Sequence, residues 1–94
     1  MAWYLYLIEC EDGSLYTGIA LDPEARFALH LAGKGARYTR SHPPKKLLMA
    51  LPFPDRSTAS KAEYRLKQLA PADKRRIARA PDSAELVSPE ANGR

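Results

Sequence analysis

Glu63 is the side chain whose position in the sequence says most about chemistry. It falls with Ala59, Ala62 and Leu66 at the spacing of a single helix face, so a carboxylate lies on an otherwise apolar stripe. A carboxylate that faces inward is costly unless it is paired, hydrogen-bonded or bound to a cation. Glu63 is therefore either a metal ligand or the partner of a nearby Lys or Arg at the edge of the stripe.

Arg26 and His30 lie four residues apart, which places both on the same face of a helix. An arginine can neutralise charge that develops on a phosphate in a transition state, and a histidine beside it can orient a proton or a phosphate oxygen. The alternative is a solvated helix face on which the histidine has no function, because such a face can show the same spacing. The pair therefore indicates phosphate chemistry only in combination with other residues.

Tyr6 and Tyr16 lie on two β-prone runs that flank the turn sequence Asp12-Gly13. Whether the two tyrosines share a face depends on the length of the loop. A two-residue turn would point Tyr6 away from Tyr16. A three-residue loop with its glycine in the left-handed conformation pairs Ile8 with Tyr16 and places both tyrosines on one face, and we expect this loop. Gly18 would then share that face and leave room for a backbone or a substrate phosphate.

The elements that must position these residues make an α+β fold, with three strands in an antiparallel sheet flanked by helices. Asp22 and Pro23 are typical of a helix start, and Pro52 and Pro54 favour an edge position for the last strand. Residues 33–45 form a basic, glycine-containing connection. The sequence pattern predicts strands over 2–10, 14–20 and Lys46 to Phe53, and helices from Pro23 to about Ala32, from about Ser57 to Leu69 and over roughly 72–80.

The length of 94 residues predicts one domain over 1–80, and the loss of hydrophobic periodicity predicts a disordered tail over 81–94. The apolar run at the start ends at Glu9 and is too short for a signal peptide or a membrane span. The lone cysteine, Cys10, cannot form an internal disulfide, which fits a reducing compartment. We therefore expect a cytoplasmic protein that does not contact a membrane.

The charge is unevenly distributed along the chain. The net charge is +4, and the first 25 residues contain five acids and no Lys or Arg. A basic surface favours a polyanionic partner such as nucleic acid, although an ordinary solvated surface explains the composition equally well.

These features together resemble the GIY-YIG nuclease superfamily. The resemblance lies in Tyr4-Leu5-Tyr6, in Leu15-Tyr16-Thr17-Gly18-Ile19 and in the order Asp22, Arg26, His30. The stretch from Asp55 to Leu69 resembles the helix that carries the metal-binding glutamate of that family. Residues 33–40 are similar to a connection in its small stand-alone bacterial members of the YhbQ type. The resemblance covers roughly residues 2–80 and implies an α/β sandwich of the GIY-YIG kind.

The resemblance also implies a role for each matching residue. Tyr16 would be the general base, or the group that activates the attacking water. Tyr6 would orient that water or the scissile phosphate, and Arg26 would stabilise the pentacovalent phosphate. His30 would assist proton transfer. Glu63 would be the sole protein ligand of one divalent ion, Mg²⁺ or Mn²⁺.

The chain departs from the family pattern at four positions. Tyr4 replaces the glycine of the first motif, and Thr17 replaces the isoleucine of the second. Ala20 stands where relatives usually carry Thr or Ser, which removes a hydrogen bond near the site. Ala25 stands where many relatives carry a second basic residue, which weakens contacts to a nucleic-acid backbone. Many members also carry a targeting module, and we expect a protein partner to supply that function here.

The basic connection and the residues after it are predicted to bind nucleic acid through phosphate contacts and base stacking. This set is Lys34, Arg37, Tyr38, Arg40, Lys45 and Lys46. The resemblance implies a metal-dependent endonuclease that hydrolyses phosphodiester bonds of DNA rather than RNA, in single-stranded or structured DNA during repair or recombination. One alternative is a nucleic-acid-binding protein of the same fold with weak or vestigial cutting. Another is a protein–protein module that uses the tyrosine-rich face. The sequence leaves the oligomeric state open.

Overall fold

The computed structural model describes residues 2–80 and contains one three-stranded antiparallel sheet with strand order β2-β1-β3. This confirms the predicted α+β class. The predicted tail over 81–94 lies outside the described residues. The elements in chain order are β1 (Trp3–Cys10), β2 (Leu15–Ala20), α1 (Pro23–Leu31), α2 (Arg37–Ser41), β3 (Pro44–Phe53), α3 (Arg56–Lys67) and α4 (Pro71–Arg79).

The hairpin loop is closed by the amide of Cys10, which donates to the carbonyl oxygen of Ser14 at 2.8 Å, so it has the three residues, 11–13, that we expected. The backbone amide of Gly13 donates to the carbonyl oxygen of Cys10 at 2.9 Å, and Gly13 has a φ of 86°, a left-handed conformation that glycine adopts at no steric cost. Ile8 pairs with Tyr16 across the hairpin. Tyr6 and Tyr16 therefore lie on the same face of the sheet.

The sheet has two faces of different chemistry, since the side chains of β1 alternate between them. The leucine face packs on α3 and α4, and its buried side chains are Leu5, Leu7, Met49, Ala62, Leu66 and Ile77. The tyrosine face lies towards α1 and α2, and its core consists of Tyr6, Ile8, Cys10 and Ala20 with Tyr16, Phe27 and Leu47 packed against them.

Strand β3 begins at Pro44, two residues earlier than the sequence indicated. Proline is tolerated there because β3 is an edge strand and Pro44 is its first residue. The pairing of β3 with β1 shifts register twice, between Leu7 and Ile8 and between Glu9 and Cys10. These irregularities bring Lys46 opposite Glu9.

Helix α2 is a second difference, because the connection over 33–45 was not predicted to contain a helix. α2 has five residues and no side-chain cap at its N-terminus. Tertiary contact instead stabilises it, as its Thr39 side chain is 2% exposed. Propensity alone could not predict so short a helix.

Helices α1 and α3 begin at carboxylate caps, whereas α4 begins without a side-chain cap. Asp22 accepts a hydrogen bond from the amide of Ala25 at 3.1 Å, and Asp55 forms a capping box with Thr58. α3 consequently begins at Arg56, close to the predicted start. None of the helices within residues 2–80 has both the length and the apolar composition that crossing a bilayer requires.

Candidate active site

A buried chain of hydrogen bonds joins β1, α1 and α2 on the tyrosine face. The Tyr6 hydroxyl lies 3.0 Å from Nε2 of His30, and Nδ1 of His30 lies 2.6 Å from Oγ1 of Thr39. The Thr39 hydroxyl donates to the carbonyl oxygen of Ala36 at 3.0 Å. The backbone amide of Ala36 also donates to Nδ1 at 3.4 Å, so the contacts of a neutral His30 are compatible with its proton on either ring nitrogen.

The electrostatics of the cluster favour the neutral forms of His30 and Tyr6. Burial, with a contribution from the positive charge of Arg26, lowers the pKa of His30 and keeps its ring neutral. Burial raises the pKa of Tyr6 well above its ordinary range; Tyr16 and Glu63 raise it further, whereas Arg26 opposes the change. Tyr6 therefore keeps its proton at neutral pH and acts as a hydrogen-bond donor rather than a base.

Tyr16 is half-buried at the centre of a row of rings. Its ring centroid lies 6.3 Å from that of Tyr6, 5.1 Å from that of His30 and 5.8 Å from that of Tyr38. Tyr38 also stacks on His42, with centroids 4.2 Å apart and planes inclined by 19°. The ring that was predicted to stack on a base thus already contacts two rings of the protein.

His42 connects this row to the hairpin loop. Its Nδ1 lies 2.7 Å from Oδ2 of Asp12, and Oδ1 of Asp12 accepts hydrogen bonds from the amide and the hydroxyl of Ser14, at 3.0 and 2.6 Å. The hydrogen bonds from Ser14, and then the one from His42, lower the pKa of Asp12. The loop that sets the register of the tyrosines is therefore also tied to the end of α2.

Two glycines give the buried rings their space. A Cβ atom on Gly18 would lie 2.5 Å from the Tyr6 hydroxyl oxygen, and a Cβ atom on Gly35 would collide with the ring of His30. The expectation that Gly18 leaves room for a backbone or a substrate phosphate is thus wrong, because the ring of Tyr6 fills that space. Any side chain at either glycine would displace a member of the hydrogen-bonded chain.

Arg26 and Glu63 approach this cluster from different helices. Arg26 is exposed on α1 one turn before the buried His30, and its charge acts on both His30 and Tyr6. The side chain of Glu63 is 22% exposed, and its Oε2 lies 3.4 Å from Nζ of Lys67. Glu63 therefore has a lysine partner, as expected if it lies at the edge of the apolar stripe.

Glu63 is the residue that the sequence predicted to hold a divalent ion. No group of three or more His, Cys, Asp or Glu side chains converges within residues 2–80. An ion held there would take its remaining ligands from water and phosphate oxygens. Mg²⁺ suits such a site because it keeps most of its water shell and uses few carboxylates.

The structure divides the residues that were predicted to bind nucleic acid. Lys34, Arg37 and Arg40 are exposed on and around α2, near the row of rings. Lys45 is exposed at the start of β3. Lys46 instead lies opposite Glu9 in the register of β3 with β1, on the leucine face. The six predicted residues therefore do not form one surface.

Sequence reasoning missed Thr39, Gly35 and His42. Gly35 could have been recognised as the second glycine within three residues, where a close approach is one explanation. Thr39 and His42 give no local signal, because their partners lie nine and thirty residues away along the chain.

This fold and its paired tyrosines match a known family. Residues 2–76 match the GIY-YIG catalytic domain. The chain therefore belongs to the GIY-YIG family, part of a nuclease superfamily whose members act on nucleic acid and generally use divalent metal ions.

Within this family the chain is similar to small proteins named UPF0213. It is 58% identical over 66 residues to the UPF0213 protein of Xanthomonas campestris pv. campestris strain 8004, a match that spans 70% of this chain and 65% of the relative. It is 46% identical over 87 residues to the UPF0213 protein YhbQ of Escherichia coli K12 strain DH10B, which covers 92% of this chain and 87% of the relative.

Two solution NMR structures are similar as well. The UPF0213 protein BH0048 from Bacillus halodurans is 37% identical, with a TM-score of 0.53 over 89% of this chain and 93% of the other. Protein EF2693 from E. faecalis is 33% identical, with a TM-score of 0.60 over 87% of this chain and 88% of the other.

Proposed function

We propose that this protein is an endonuclease that hydrolyses phosphodiester bonds of DNA with one Mg²⁺ or Mn²⁺ ion held by Glu63. The observation that carries the proposal is the meeting of Tyr6, Tyr16 and His30 in one cluster, with the charges of Arg26 and Glu63 acting on Tyr6. Single-stranded or structured DNA in the cytoplasm, during repair or recombination, is the proposed substrate.

Each of these residues has a separate role in the proposed reaction. Tyr16 is the general base that activates the attacking water. Tyr6 keeps its proton, and with the ring proton of His30 on Nε2 the imidazole donates to the Tyr6 oxygen, which leaves the Tyr6 proton free to orient that water or the scissile phosphate. Arg26, exposed and beside the cluster, stabilises the charge that develops on the pentacovalent phosphate. The bound ion would polarise a phosphate oxygen.

Nucleic acid reaches this cluster along its exposed basic rim. Lys34, Arg37 and Arg40 contact backbone phosphates, and Lys45 extends the rim to the start of β3. Tyr38 stacks on a base by exchanging one of its ring contacts within the protein for the base.

A cleavage assay tests the proposal. Purified protein with Mn²⁺ or Mg²⁺ is incubated with single-stranded, flapped and duplex DNA and with a single RNA strand. We expect nicking of the single-stranded or flapped DNA. Glu63→Ala and Arg26→Ala should each abolish nicking while circular dichroism shows an intact fold.

Matched controls separate the site from general charge effects. Glu24→Ala and Arg76→Ala remove one exposed acid and one exposed base outside the cluster, and both should cut like the wild type. Equal cutting by Glu63→Ala, Arg26→Ala and the wild type would overturn the proposal, since the activity would then come from another site or a contaminant.

A second candidate function is nucleic-acid binding without efficient cutting. The ion pair between Glu63 and Lys67 favours it, because Lys67 competes with a metal ion for the carboxylate. Substitution of Lys67 by Ala separates the two functions. In an enzyme this change should lower the Mn²⁺ concentration needed for half-maximal cutting. In a binding protein neither Lys67→Ala nor Glu63→Ala should change affinity for DNA, and no variant should cut.

A further inference from the structure

A cleft on the leucine face has a basic lining that the proposed active site does not use. Its volume is about 210 Å³, and it lies where α4 crosses β1 and β3. The cleft is lined by Glu9, Lys46, Leu48, Arg75, Ala78 and Arg79. It therefore places three cations around one carboxylate, on the side of the sheet opposite to Tyr6 and Tyr16.

The one carboxylate in this cleft is already engaged. Nη1 of Arg75 lies 2.7 Å from Oε2 of Glu9, and Nη2 of Arg75 donates to the carbonyl oxygen of Gly13 at 2.7 Å. The hydrogen bond from Arg75 lowers the pKa of Glu9, so Glu9 is ionised at neutral pH. Neither Lys46 nor Arg79 has an ion-pair partner within residues 2–80. The surplus of positive charge in the cleft comes from these two side chains.

The lining indicates which part of a ligand it would contact. Its apolar members, Leu48 and Ala78, are small or aliphatic, and none of the six residues is aromatic. A site without rings offers no stacking surface for a base, whereas Lys and Arg side chains suit phosphate oxygens. The geometry points to a second contact site for nucleic acid, in which Lys46, Arg79 and the fixed Arg75 hold a backbone phosphate of a single strand.

The hairpin end of the sheet supplies a route between the two faces. The loop between β1 and β2 binds His42 through Asp12 on one side and Arg75 through the Gly13 carbonyl on the other. Lys45, exposed at the start of β3, directly precedes the cleft residue Lys46 along the chain. A single nucleic-acid strand that leaves the tyrosine face can therefore pass over this end of the sheet and keep its phosphates near cations. This inference rests on the nucleic-acid partner of the proposed function, but not on cleavage.

Binding without metal tests the cleft independently of cutting. Fluorescence anisotropy in EDTA compares single DNA strands of about 4 and about 16 nucleotides. The variant Lys46→Gln/Arg79→Gln is matched by Lys61→Gln/Arg76→Gln, which removes two exposed charges of α3 and α4 outside the cleft. The cleft variant should bind the long strand more weakly than the wild type does. Its salt dependence should fall by about 0.7 in the log–log slope for each lost phosphate contact.

With the long DNA strand, the control variant should show the same slope as the wild type. With the short DNA strand, the cleft variant should show the same slope as the wild type. Adding the long strand to labelled protein should shift the NMR amide signals of Leu48 and Ala78. The cleft proposal is overturned if both double variants lose affinity equally, or if the cleft variant binds like the wild type. The proposed nuclease function survives either result. A wild-type protein that binds no strand at all would overturn both proposals.

Discussion

The two faces of the sheet use the same strand for different purposes. On β1, Leu5 and Leu7 point into an apolar cluster with α3 and α4, and both are fully buried. Between them Tyr6 points the other way, into a cluster that contains a buried histidine and a buried threonine. The buried cluster of the leucine face is apolar, and the one hydroxyl buried beside it within residues 2–80, that of Thr17 opposite Leu7, has no hydrogen-bond partner there. The side chains of β1 alternate between a face that stabilises the fold and a face that carries the proposed chemistry. Substitutions at neighbouring residues of β1 can therefore test the two roles separately.

Leu7→Ala should have the largest effect on stability. Removing a fully buried leucine side chain costs about 2–5 kcal/mol of the free energy of unfolding, because the cavity collapses only partly. Urea denaturation measures this loss. Cutting per folded molecule should stay at the wild-type level, since Leu7 contacts the apolar cluster and none of the side chains in that cluster takes part in the proposed chemistry. A large drop in that normalised activity would contradict the separation of the two faces.

Tyr6→Phe, one residue away, should have the opposite profile. Losing a hydrogen-bond donor at a developing charge should slow cutting about 10²–10³-fold. The free energy of unfolding should fall by only about 1–3 kcal/mol, because Nε2 of His30 loses its hydrogen-bond partner while the ring is retained. Single-turnover cutting and urea denaturation give the two numbers. An unchanged cutting rate would show that the buried hydroxyl takes no part in the reaction.

Thr39→Val should cost about 1–3 kcal/mol, because the isosteric change leaves Nδ1 of His30 and the carbonyl of Ala36 without their partner. Thr39→Ser keeps the hydroxyl and should recover most of this loss. Thermal denaturation of the two variants measures the difference. If the variants are equally stable, the hydroxyl does not hold α2 against α1.

The smallest effect concerns pH. The folded protein has a His30 pKa below the ordinary value of 6.5. Above pH 6.5 the ring is neutral in both states. Below it the unfolded chain binds a proton that the folded protein does not, so stability should fall as the pH drops. Arg26→Gln removes one cause of the lowered pKa, and the urea midpoint should then fall less steeply below pH 6.5. Glu24→Gln, on the same helix, serves as the control, and equal slopes for the two variants would contradict the influence of Arg26.

The sequence predicted those parts of the fold that depend on local signals. The glycine in the hairpin predicted the loop length, and the cap at Asp22 predicted the start of α1. The cap at Asp55 was not identified, so the start of α3 was placed near Ser57 instead of at Arg56. Helix α2 and the early start of β3 were missed, because both depend on partners elsewhere in the fold.

The residues of the candidate site also differ in whether the sequence could predict them. The spacing of Tyr6, Tyr16, Arg26 and Glu63 was visible through the family resemblance. Helical spacing placed His30 beside Arg26, but it could not show that His30 is buried whereas Arg26 is exposed. Only the folded chain brings Thr39 to His30, or places Lys46 and the other predicted basic residues on different faces.

The three-residue loop also has an evolutionary consequence. One residue inserted into or deleted from it would turn every side chain of β2 to the other face and bury Tyr16 among leucines. Two inserted residues would restore the orientation of Tyr16. Relatives that keep both tyrosines should therefore tolerate many substitutions in this loop, yet vary its length only in steps of two. Counting loop residues would then separate members that retain the paired arrangement from members that have lost it.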